Sequence, residues 1–91
     1  MTRTEILETA NNYITQDRAA THGGAEDSFS DIAAIWSIYL KHNVGPEDVA
    51  MMMVLLKAVR FKNNPQHIDN SIDAAGYSAL AGEMAMRDKK K

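Results

Sequence analysis

The sequence predicts an all-α domain, a four-helix antiparallel bundle expected to be oligomeric. Three observations carry this expectation. Apolar residues recur at spacings of three and four in four separate segments, and no segment sustains strand-like alternation. Start and stop signals bracket those segments. The last segment contains "AAGYSALAG", a run of small residues that suits close packing against another helix, including one from a second subunit.

The first helix is expected to begin near Thr2, because Glu5 lies three residues on, at capping-box spacing. Ile6, Leu7, Ala10 and Ile14 then share a face, and the helix should run to about Asp17. The paired glycines of "RAATHGGAED" (18–27) argue against helix there. The second helix should start near Asp27 or Ser28. Its apolar stripe is Phe29, Ile32, Ala33, Trp36, Tyr39 and Leu40, widened by Ile35 and Ile38, with Asn43 as its C-cap.

Pro46 fits the first turn of the third helix, where Glu47 and Asp48 complement the helix dipole. Met51 to Leu56 are apolar on every side, which predicts a central helix buried by several neighbours. "NNPQH" ends it. The fourth helix should begin between Asp69 and Ser71 and turn Ile72, Ala75, Ala79, Leu80 and Met84 inward. Gly76 and Gly82 inside it cost about 1 kcal/mol each relative to alanine. Residues 1–87 are read as one domain and 88–91 as a basic, solvated tail.

Bulk properties bound the function. The chain has 91 residues, and a chain of that size buries only about 60–65% of its unfolded surface. It has no cysteine, which excludes disulfides, thiol catalysis and cysteine-ligated zinc. The longest apolar run, "VAMMMVLL", is too short to span a membrane, and a net charge of −2 argues against nucleic acid as the main partner. A place in the cytoplasm is expected.

Three polar clusters need explaining. One is "THGGAEDSFSD", with His22, Gly23, Gly24, Glu26, Asp27 and Asp31. The second is Lys57 and Arg60, on the most apolar helix. The third is His67, Asp69 and Asp73. Two readings are open. In the structural one, Asp27 and Asp69 are helix caps and Asp73 pairs with Lys57 or Arg60 at the corner between helices three and four. In the functional one, Asp69 and Asp73 face Asp27 and Asp31 and hold magnesium, a hard cation that takes carboxylate oxygens together with substrate phosphate. Lys57 and Arg60 then meet the phosphate, Gly23 and Gly24 let backbone approach the ligand, and His22 and His67 line the mouth.

The run "THGGAEDSFSDIAAIWSIYL", then "EDVAMMMVLLKAVR", then H-x-D-x-S-x-D-x-A-G-Y resembles a family of small bacteriophage and prophage proteins carrying a domain of unknown function. The resemblance extends from about Arg18 to Glu83. Asp69 and Asp73 ahead of a small-residue helix with Gly76 and Tyr77 are also similar to the close of the MazG-like all-α nucleotide pyrophosphohydrolases. That resemblance implies a helical dimer or tetramer that binds magnesium and cleaves nucleoside triphosphates. The chain departs from it in lacking an E-E-x-x-E signature, with only Glu26, Asp27 and Asp31 in the comparable region.

The expectation is therefore a phage-derived homo-oligomer in the host-cell cytoplasm that binds a nucleotide or related phosphorylated small molecule. If it is an enzyme, the chemistry expected is MazG-like hydrolysis by magnesium-activated water. One alternative is non-catalytic sequestration of a host nucleotide signal, an anti-defence sponge. Another is a structural module that binds a host protein, using methionine as an adaptable contact.

Overall fold

The computed structural model describes residues 1–17 and 25–88, and within them all regular structure is helical. Four helices follow in order: α1 (Arg3–Asn12), α2 (Ala25–Leu40), α3 (Pro46–Asn63) and α4 (Asp69–Asp88).

Local chemistry sets the boundaries. Thr2 Oγ1 accepts from the Glu5 N–H at 3.2 Å, and the Glu5 carboxylate accepts from the Thr2 N–H at 2.9 Å, closing the expected capping box. These bonds to Thr2 hold the Glu5 carboxyl below its ordinary value, so the cap works at neutral pH and weakens as acid protonates it. Past Asn12 the helix widens into a π-turn, Tyr13–Asp17, and so reaches the end the sequence implied by a different route.

Helix α2 stops earlier than its capping signal suggests. Lys41, not Asn43, takes the left-handed conformation, with φ 54°, and the His42 N–H reaches back to the Ser37 carbonyl at 3.3 Å. That is a Schellman closure with lysine in the place glycine usually holds. Ser37 then clasps the turn. Its Oγ accepts from the Val44 N–H at 2.8 Å and lies within donor range of the Ala33 carbonyl, at 2.7 Å. Pro46 opens α3 as expected, and Asp48 accepts from the Gly45 N–H at 2.9 Å.

Helices α3 and α4 pack along their lengths, joined by the short 64–68 turn, so they run antiparallel. The Lys57–Asp73 contact fixes their register. The same register sets Ala50 against Leu80 and Val49 against Ala81, all of them core residues. Phe29 and Ala33 of α2 join this core, with Met84 closing it. Helix α1 packs on α4. There Gly76 admits Ile14: a Cβ at position 76 would stand 3.0 Å from the Ile14 Cγ2.

Gly82 differs. A Cβ there meets nothing within 4 Å, so the small-residue run is a packing device at 76 and not at 82. Gly82→Ala should therefore stabilise the protein by about 0.8–1 kcal/mol. Gly76→Ala should show no such gain, because Ile14 must give way. Chemical denaturation of both variants checks this.

Three expectations about packing are corrected. Within one chain α3 is covered on one side only. Val49 and Ala50 are fully buried, whereas Leu55 is 61% and Val59 60% exposed, and Met51, Met52 and Leu56 are exposed too. On α2, Phe29 and Ala33 are buried, but Tyr39 and Leu40 stand in solvent, as do Ile35 and Ile38. On α4, Ile72, Leu80 and Met84 turn inward as expected, while Ala79 is exposed and Ala81 takes its place.

Candidate functional site

The inner stripe of α4 runs Asn70, Asp73, Tyr77, Leu80, Met84, at alternating spacings of three and four. It is polar at the end near the 64–68 turn and apolar beyond. The facing side of α3 matches it, with Lys57 at the polar end and Ala50 and Val49 deeper. The seam between the two helices therefore has a polar mouth and a greasy interior.

In the mouth, Lys57 Nζ lies 3.0 Å from Asp73 Oδ2, with both side chains only 12–13% exposed. One helical turn past Asp73, Tyr77 meets the Phe29 ring at a centroid distance of 5.9 Å, tilted by 44°. Because Phe29 sits in the first turns of α2, this contact brings the start of α2 to the same mouth. Asn70 is 5% exposed. Its place was not singled out in the sequence; stepping back three residues from Asp73 along the inward stripe reaches it.

Other candidate residues are distributed around this centre. Arg60 is exposed on α3 and forms no ion pair among the described residues, so of the two expected cations Lys57 alone pairs with Asp73. His67 Nε2 stands 3.7 Å from Asp69 Oδ2, an exposed pair at the start of α4. Asp31 is exposed on α2. His22, Gly23, Gly24 and the side chain of Asp27 lie outside the described residues. Among the described residues no three acidic or histidine side chains form a cluster. Asp31, Asp69 and Asp73 are thus not gathered with one another, and the side chain of Asp27, the fourth carboxylate of the expected set, lies outside the described residues.

The seam can hold an ammonium group in a fixed place beside a carboxylate, with a guanidinium three residues away on the same helix. Chemically, a lysine and an arginine so spaced are groups able to pair with anionic oxygens, Lys57 at present being answered by Asp73.

Comparison with known proteins places this arrangement. The model of a domain of unknown function, DUF6378, matches residues 5–85, nearly the whole chain. The chain belongs to this family. Two relatives come from phages, in keeping with the phage resemblance of the sequence. It is 38% identical over 87 residues to the Gene 55 protein of Mycobacterium phage L5, covering 94% of this chain and 56% of the relative. It is 38% identical over 73 residues to the Gene 55 protein of Mycobacterium phage D29, covering 80% of this chain and 48% of the relative. The chain thus spans about half the length of the curated relatives it matches. No solved structure matches it. No described helix is long and apolar enough to cross a membrane.

Proposed function

We propose that this DUF6378 protein binds a nucleotide or related phosphorylated small molecule at the polar mouth of the α3–α4 seam. The observation that carries the reading is the burial of the Lys57–Asp73 pair on a helix whose opposite face leaves Leu55 and Val59 in solvent. Removing two charges from water costs several kcal/mol, and a hydrophobic pair would fill such a seam at no such cost. A chain that places its charges inside and its leucines outside has a use for both. The same inversion supports an oligomer, in which the outer face of α3 is covered.

In this reading Lys57 and Arg60 meet phosphate, and Asp73 holds Lys57 in place until ligand arrives. Half-buried Tyr77, backed by the Phe29 ring, offers ring surface one turn away, against which a base can lie. The ligand-binding roles expected of His22, Gly23 and Gly24 fall on residues outside those described. Asp69, with Asp27 and Asp31, supplies the carboxylates if magnesium accompanies the phosphate, as the MazG-like resemblance implies. The phage relatives favour a role within an infected cell's cytoplasm, either hydrolysing a nucleotide or holding a host nucleotide signal without turnover. The apolar outer faces of α2 and α3 favour a second reading, a module that docks on a host protein.

Incubating the protein with a panel of nucleoside triphosphates, dinucleotides and cyclic nucleotides plus magnesium tests the proposal. The protein is separated from free ligand, bound material is released by heat, and both fractions are chromatographed. An intact nucleotide in the protein fraction supports sequestration, and conversion to monophosphate supports hydrolysis. Either should vanish in the Lys57→Met, Asp73→Leu double variant. Absence of both from the wild type overturns the reading and leaves host-protein docking in its place.

A further inference from the structure

The outer face of α3 has a pattern of its own. Asp48, Met52, Leu55, Val59 and Lys62 follow at spacings of four, three, four and three, a single stripe opposite the side that packs on α4. All five are exposed, and Met51 and Leu56 widen the apolar middle. The stripe is acidic at its first position, basic at its last and apolar between.

Such a stripe is complementary to itself in one direction only. Two copies laid antiparallel with Leu55 against Leu55 put Asp48 of each beside Lys62 of the other, and Val59 beside Met51. Laid parallel, the same surfaces oppose Asp48 to Asp48 and Lys62 to Lys62. The stripe is about 21 Å long, so the two ends do not sense each other within a chain but are matched across a two-fold axis.

The exposed apolar side chains of α3 present on the order of 500 Å², toward the upper end of the roughly 300–600 Å² of a typical monomer's largest patch.

We propose that two copies of this chain associate antiparallel through the outer face of α3, about a two-fold axis at Leu55. The proposal deepens the oligomer included in the reading above but depends on no ligand. Burying Leu55, Val59 and Met52 supplies the attraction, and the paired Asp48 and Lys62 set the direction. In the dimer α3 becomes the central helix its sequence describes.

Sedimentation and light scattering give the mass; the wild type should show two chains, and Leu55→Glu one, with unchanged far-UV circular dichroism. Asp48→Lys and Lys62→Glu should each weaken association at least about 10-fold, since each homodimer would carry two like-charge contacts. Mixing the two variants should restore a heterodimer, in which every end is paired again. The cysteine-free chain permits a directional check. Leu55→Cys should cross-link to itself on oxidation and Lys62→Cys should not. A wild type of one-chain mass, no recovery on mixing, or ready self-cross-linking at position 62 would overturn the proposal. Nucleotide retention is read separately on the same samples, so a monomer that holds nucleotide refutes the interface alone. A dimer that holds none refutes only the ligand reading.

Discussion

Asp73→Ala should cost about 3–5 kcal/mol of folding stability, because it strands the Lys57 ammonium in a seam that solvent scarcely reaches. In a domain of this size that is a fall in melting temperature of roughly 12–40 °C, taking 4–8 °C per kcal/mol. The loss comes less from the ion pair's own attraction than from leaving one charge without its counter-charge. A second variant separates the two. Replacing both partners, Lys57→Met with Asp73→Leu, removes the uncompensated charge and should bring stability back to within about 1 kcal/mol of the wild type, or above it. Urea denaturation of the two single variants and the double completes a thermodynamic cycle. If the double variant were as unstable as the singles, the pair would be holding the helices together by geometry and not merely neutralising itself.

Ile72→Ala should cost about 3–4 kcal/mol, within the range for truncating a buried isoleucine. Ile72 is among the largest fully buried side chains, 2% exposed, and it lies one turn from Gly76 on the face of α4 that receives α1. The cavity would open where α1 meets α4, beside Ala10 and Gly76, which are too small to fill it, while Ile14 is already seated against Gly76. Total stability for a chain of this length is on the order of 5–13 kcal/mol, so the variant removes a large part of it. Thermal melting followed by circular dichroism measures the loss; a shift of less than about 5 °C would mean that α1 collapses onto α4 and closes the gap.

Much of the fold was legible in the sequence because its helix boundaries rest on short-range chemistry. The Thr2–Glu5 box, Pro46 at the head of α3 and the start of α4 at Asp69 each need only neighbouring residues, and each stands where the spacing places it. The end of α2 was misread for the same reason in reverse. Asn43 carries the composition of a cap, but the Ser37 clasp on Val44 decides the turn, and a contact seven residues apart leaves no local signal. The Lys57–Asp73 pair was legible because a charge on an apolar helix must be answered. Which cation answers depends on helix register, and that excluded Arg60. The burial of α3 was misjudged because an apolar residue on every side of a helix reports side-chain chemistry, not how many neighbours cover it, and this chain leaves Leu55 and Val59 exposed.

The placement of α1 has a kinetic consequence. Helices α3 and α4 meet through a short turn, so their contacts close small loops, whereas α1 docks on α4 across roughly sixty intervening residues and buries Ala10 as its one fully enclosed side chain. Long loops close last and slowly, and thinly buried helices detach first. The α3–α4 hairpin should therefore act as the folding nucleus. Amide protons of residues 3–12 should exchange with solvent through a partial opening well below the free energy of global unfolding, with the hairpin still intact.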